Sequence, residues 1–152
     1  MVILALDYGE RRIGVALSDE LEIAAHRLEN IERDEAGSEL DRIAELAAAR
    51  SVGLVVVGMP LGMDGEMGPQ AHKVGGFVKR LRSRLPDLRV ETIDERLTSA
   101  QAHRALSEEG ATMQRRAERV DGMAAQLILT RYLKQRHSER DDDAHSDESR
   151  GA

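Results

Sequence analysis

Three acidic residues stand at strand ends or on an otherwise apolar helix face. Asp7 closes the apolar run VILAL, Glu95 follows the segment LRVETID, and Asp121 lies within RVDGMAA. Taken singly, Glu95 and Asp121 read more readily as a helix cap, a strand-end solvent contact or an ion-pair partner, and Asp7 reads as readily one way as the other. The set argues for a site. With no Cys, and no ligand spacing among His26, His72, His103, His137 and His145, three carboxylates point to hard, oxygen-ligated cations, Mg²⁺ or Mn²⁺, rather than zinc. Two such ions about 4 Å apart would clamp a phosphodiester, activate a water and stabilise the leaving oxygen.

The residues around Asp7 suit an anionic ligand. Gly9 and Gly14 bracket the turn that holds Arg11 and Arg12. They permit close backbone approach beside the carboxylate, and equally an ordinary hairpin turn. Arg11, Arg12 and Arg96 can hold phosphates as bidentate donors, Arg96 standing next to Glu95; surface solvation is the alternative for each. Thr98 opens a capping box with Gln101 and reads as a helix cap.

Charge is unevenly spread. The net charge is −6, yet Lys73 to Arg89 holds six basic residues and one acid, and Arg115 to Arg136 six and two. Residues 17–47 hold ten acids against three Arg, and residues 137–152 hold six acids against two Arg. Phosphate contacts are therefore expected on the cationic part, with Lys73 and Arg80 as further substrate-binding candidates. Two Tyr, one Phe and no Trp provide no stacking platform for unpaired bases, so recognition should rest on backbone charge and nucleic-acid shape.

Elements must bring these residues together. Val2 to Leu6 is a continuous apolar run, suited to a central strand covered on both faces. Residues 13–19 alternate with period two, as an antiparallel partner, and residues 23–31 offer a third strand. Ser38 to Arg50 has helical spacing with Ser38 as N-cap. Val52 to Val57 is a second buried strand, and residues 58–69 (GMPLGMDGEMGP) form a loop in which Met59, Met63 and Met67 are contact or packing residues. A helix follows over residues 70–85, a strand over 88–94, a short helix from Thr98 to Gly110, and a last helix over 115–134. On that helix Ala124 and Ala125, one turn after Asp121, allow close approach to the sheet.

At 152 residues without Cys, one domain in a reducing compartment is expected. No stretch nears the ~20 apolar residues of a membrane span. The N-terminal apolar run is short, lacks a basic leader and ends in Asp7, so a soluble, cytoplasmic protein with no membrane partner is expected. The order βββαβαβα(α) predicts an α/β fold: a mixed five-stranded sheet, three antiparallel strands then parallel ones, flanked by helices as in ribonuclease H-like domains. The domain spans residues 1–136; residues 137–152 read as a disordered acidic tail.

Four segments together, DYGERRIGVA (7–16), GMPLGMDG (58–65), DERLTS (94–99) and DGMAA (121–125), resemble the YqgF family in the family's order, over residues 1–136. This family comprises Holliday-junction resolvase-like proteins of ribonuclease H-like fold, implicated in processing precursor small-subunit ribosomal RNA. The resemblance implies a Mg²⁺- or Mn²⁺-dependent nuclease with Asp7, Glu95 and Asp121 as catalytic carboxylates and metal ligands. It implies structured RNA such as pre-16S rRNA, or branched DNA, as substrate, a ribosomal setting, and by analogy a 5′-phosphate product. Ser99 stands where Thr is common, which keeps the hydroxyl. A symmetric four-way junction would call for a homodimer; end trimming of RNA would not.

Two other classes compete. Asp7-x-Gly9 followed by Gly14 also resembles the first phosphate motif of the actin, hexokinase and sugar-kinase superfamily. Those enzymes close two domains around ATP, whereas this chain has one, and no second Gly-rich phosphate motif follows a later strand. The other is a non-catalytic module that binds ribosomal RNA or an assembly partner. Glu95 is the member on which the nuclease reading turns, because its strand is expected two places from that of Asp7.

Overall fold

The computed structural model describes residues 1–62, 64–95 and 113–150, with the side chains of the last helix described over 123–142. Its elements are β1 (Val2–Tyr8), β2 (Arg12–Ser18), β3 (Ala25–Glu32), α1 (Ser38–Ala49), β4 (Val52–Met59), α2 (Pro69–Arg84), β5 (Arg89–Asp94) and α3 (Met113–Arg150). The sheet order is β3-β2-β1-β4-β5. β1 pairs antiparallel with β2 and parallel with β4, and β4 pairs parallel with β5. The expected mixed five-stranded sheet is present.

The apolar run of β1 is unbroken because helices cover both of its faces. Leu4, Leu6 and Tyr8 join Val55, Val57, Val74, Phe77 and Leu81 in the core under α1 and α2. Ile3 and Ala5 join Ala16, Leu54, Val56 and Ile93 beneath Ala125, Ile128, Leu129, Tyr132 and Leu133 of α3. Ala5 and Ala16 are register partners. With Ala124 and Ala125 fully covered, small side chains meet on sheet and helix, which lets α3 lie close, as the sequence suggests.

One local expectation is corrected. Ser38 is not the N-cap of α1. Gly37 holds that position at φ 76°, and the carboxylate of Asp34 accepts a hydrogen bond from Ser38 N at 2.9 Å. A left-handed cap favours glycine, and the acid three residues upstream supplies the acceptor that Ser38 was expected to provide. α3 runs past residue 136, to Arg150. Its continuation is anchored by Glu22, a buried residue at φ 59° in the β2–β3 turn. Arg136 and Arg140 form ion pairs with the Glu22 carboxylate at 2.7 and 2.6 Å, and His137 Nε2 donates to its carbonyl at 2.7 Å. Burial opposes ionisation of Glu22, but the two guanidinium groups outweigh it and hold the carboxyl below its usual range.

The short helix expected over 98–110 and its capping box lie outside the described residues, as does Met63. Among the described residues, no helix is long and apolar enough to cross a membrane.

Candidate active site

Strand parity decides which side chains can meet. Along β1, Tyr8 points with Leu4 and Leu6 toward α1 and α2, so Asp7 points with Ile3 and Ala5 toward α3. Along β5, Val90 belongs to the α2 face and Ile93 to the α3 face, which puts Glu95, two residues beyond Ile93, on the side of Asp7. The two strands are not neighbours, because β4 runs between them. In the parallel register Leu6 lies beside Val57 and Gly58 beside Ile93, so Gly58 is the β4 residue standing between the two acids.

Gly58 is what allows them to touch. A Cβ there would stand 2.5 Å from Glu95 Oε2 and 2.5 Å from Ile128 Cδ1. The Glu95 side chain thus occupies the space a β4 side chain would fill, and from there it hydrogen-bonds with Asp7 across the middle strand. On the other side Asp7 is paired with Gly14 of β2, so the carboxylate is flanked by glycine on both neighbouring strands. The backbone supports the arrangement: Glu95 N donates to Met59 O at 3.3 Å, extending the β4–β5 ladder, and Arg131 of α3 donates to Asp94 O at 3.0 Å.

Glu95 is only 9% exposed. Burial pushes its carboxyl up to about 6; the hydrogen bond with Asp7 works against this, and the charge of Asp94 adds to it. Two carboxyl groups in contact titrate as a pair, sharing a proton at mildly acidic pH and becoming a concentrated double negative charge above it. Hard oxygen donors that repel one another once ionised fit a divalent cation. Among the described residues no group of three or more potential ligands gathers. Asp121 falls within α3, four residues before the fully buried Ala125, and its side chain is outside the described residues, as is Arg96.

The cationic candidates divide between locations. Gly9 closes the β1–β2 turn by donating its N–H to Arg12 O at 3.0 Å, Arg11 is exposed on that turn, and Arg12 is half-buried at the start of β2. Lys73 and Arg80 belong to α2, on the opposite face of the sheet from Asp7 and Glu95. There they border a cavity of about 610 Å³ together with Tyr8, Arg33 and Gln70. Tyr8 stacks on Phe77 with centroids 4.3 Å apart, and the Arg33 guanidinium lies 4.2 Å over its ring. Arg33 also donates to Gly9 O and Glu10 O at 2.7 and 2.8 Å, tying down the turn beside Asp7.

Sequence reasoning missed the parts played by Gly58 and Arg33. A glycine ending an apolar strand was a usable signal, since it removes a side chain where a central strand would otherwise carry one. Arg33 had none, because the turn it ties down lies more than twenty residues away.

The model of a family described as RuvX, Holliday junction resolvase, matches residues 1–135. A relative from Desulforudis audaxviator, named "Putative pre-16S rRNA nuclease", is 44% identical over 140 residues, covering 92% of this chain and 99% of its own. A Gloeobacter violaceus protein of the same name is 41% identical, covering 86% and 82%. Among solved structures, Thermus thermophilus RuvC in complex with a Holliday junction has a TM-score of 0.54 at 18% identity, covering 89% of this chain and 96% of that one. The fowlpox virus Holliday junction resolvase has a TM-score of 0.51 at 13% identity, covering 89% and 99%. These two share the fold.

Proposed function

The chain belongs to the RuvX Holliday junction resolvase family, and from this premise we propose that it is a divalent-metal-dependent nuclease acting on structured nucleic acid. The observation that carries the reading is the contact of Asp7 with Glu95 across Gly58, at the C-terminal edge of the parallel strands where α/β sheets place their ligands. The names of its relatives favour pre-16S rRNA as substrate, and we place the reaction at the 5′ region of that RNA, on ribosomal particles in the cytoplasm. Branched DNA is the second substrate class, favoured by the family description, and a symmetric junction would require two copies of the chain.

Asp7 and Glu95, with Asp121 as the third carboxylate, would hold Mg²⁺ or Mn²⁺. A cation bound there would supply charge to offset the phosphodiester and would make a water nucleophilic near neutral pH. The chain's own residues prepare the site. Gly58 keeps space open for the Glu95 carboxyl. Burial of Glu95 by Ile128 and the sheet excludes bulk water from one side of the pair. Loss of the proton shared by Asp7 and Glu95 leaves four carboxylate oxygens as ligands, so cation binding strengthens as pH rises through about 6. Arg11, Arg12 and Arg96 are placed in sequence to meet phosphates beside the pair, and hydrolysis leaves a 5′-phosphate.

Incubation of the purified protein with pre-16S rRNA and with a four-way DNA junction, each with Mg²⁺ or Mn²⁺, tests this. Cleavage of either substrate, lost in Asp7→Asn and in Glu95→Gln, is expected. Cleavage that survives Asp7→Asn refutes the site, and binding without cleavage of either substrate points to a non-catalytic module.

A further inference from the structure

The cavity on the α2 face has no part in the carboxylate site. Its border carries three cations, Arg33, Lys73 and Arg80, against one acid, Glu10, with Arg33 also 4.0 Å from the Glu39 carboxylate. Like charges gathered around one depression repel, and a surface that needed only solubility would spread them. Two of them are also held in place: Arg80 donates to Tyr8 Oη at 3.3 Å, and Arg33 is fixed over the Tyr8 ring and by its bonds to Gly9 O and Glu10 O. Lys73 has no hydrogen-bonding or ion-pair partner among the described residues. Gln70 stands in the first turn of the 16-residue helix α2 and Lys73 directly after it; that turn holds no acidic residue, so the positive end of the helix adds to the field. At about 610 Å³ the cavity accommodates a nucleotide-sized group. Both faces of the Tyr8 ring are already covered, by Phe77 and Arg33, so a base has no aromatic surface there, and phosphate is the group these residues can hold.

Tyr8 and Asp7 are adjacent and point to opposite faces. A strand crossing the end of β1 therefore meets Asp7 and Glu95 on one side and this cavity on the other. We propose that the cavity formed by Arg33, Lys73 and Arg80 is a second phosphate-binding site, which grips the backbone of the nucleic-acid substrate on the sheet face opposite the Asp7–Glu95 pair. This rests on the reading of the chain as a nucleic-acid enzyme, though not on its being able to cleave.

The test is binding of the full chain to fluorescent pre-16S rRNA fragment and to a four-way junction, without divalent metal, across a series of salt concentrations. Each backbone phosphate released from contact flattens the slope of log K against log[salt] by about 0.7–0.9. Lys73→Ala with Arg80→Ala should flatten it by about 1.4–1.8, and Lys73→Ala alone, which leaves the Arg80–Tyr8 bond intact, by about half of that. Lys79→Ala removes the same charge elsewhere on α2 and should leave the slope as it was. Slopes unchanged in both Lys73 variants, or changed equally by Lys79→Ala, overturn the proposal. So does saturable binding of AMP that Lys73→Ala abolishes while the nucleic-acid slope stays unchanged, because the cavity would then take a free nucleotide. Flattened slopes with no cleavage under any metal condition would sink the nuclease reading and leave this site standing; cleavage with unchanged slopes would do the reverse.

Discussion

Replacing Gly58 with alanine adds one methyl group between the strands that carry the two acids. That methyl would stand 2.5 Å from both Glu95 Oε2 and Ile128 Cδ1, whereas carbon contacts settle at about 3.5–4.0 Å. Both neighbours are ends of flexible side chains, so they yield by about 1 Å while the backbone stays in place. Overpacking of this kind costs about 1–3 kcal/mol, and exchanging glycine for alanine inside a strand returns about 0.5–1 kcal/mol. The variant should therefore fold, with stability lowered by about 2 kcal/mol or less. Its carboxylate will not be where it was. A displacement of about 1 Å at a reacting centre lowers rate by about 10²-fold. Single-turnover cleavage and urea denaturation, measured together, check the two halves. Adding Ile128→Val removes the second clash; it should restore stability without restoring cleavage, because Glu95 still meets the new methyl. A Gly58→Ala protein that cleaves at the wild-type rate, or one whose cleavage Ile128→Val rescues, refutes the assignment of Gly58 as the gap through which Glu95 reaches Asp7.

Other consequences can be measured without substrate. Glu95 has a folded-state value of about 6 against 4.5 for a free glutamate, so the folded chain binds the extra proton, and stability falls as pH rises from about 4.5 to 6. The loss is at most about 2 kcal/mol; urea midpoints of wild type minus Glu95→Gln should fall across that window, and a flat difference contradicts the burial of this carboxyl. Mn²⁺ or Mg²⁺ should raise the melting temperature above pH 6 in wild type and not in Asp7→Asn, since a ligand that binds only the folded state stabilises it. Glu22→Gln removes the charge shared by Arg136 and Arg140 and turns one of its two acceptor oxygens into a donor; it should cost about 1–3 kcal/mol, with faster amide exchange over residues 136–142, and unchanged exchange would mean that the far end of α3 is anchored elsewhere. Phe77→Ala, at a fully buried ring stacked on Tyr8, should cost about 3–5 kcal/mol in chemical denaturation.

Much of this molecule is written locally. The apolar run ending in Asp7, the period-two alternation of β2 and the stripes of α2 and α3 are properties of neighbouring residues, so strand order, layer count and the three acids could be read without coordinates. Burial on both faces leaves no polar alternation in β1, and that itself marks a central strand. What could not be read was side. A strand's parity is relative, and which face each residue takes depends on register with strands far away in the chain. Only the tertiary structure turned Asp7 and Glu95 to the same face, put Gly58 between them on a strand that had looked like an obstacle, and sent Lys73 and Arg80 to the opposite face. The same holds for Glu22, whose partners on α3 lie more than a hundred residues away and carry that helix past the point where composition alone predicts disorder. Residue type determined what chemistry the chain can do; the pairing of distant strands decided which groups could do it together.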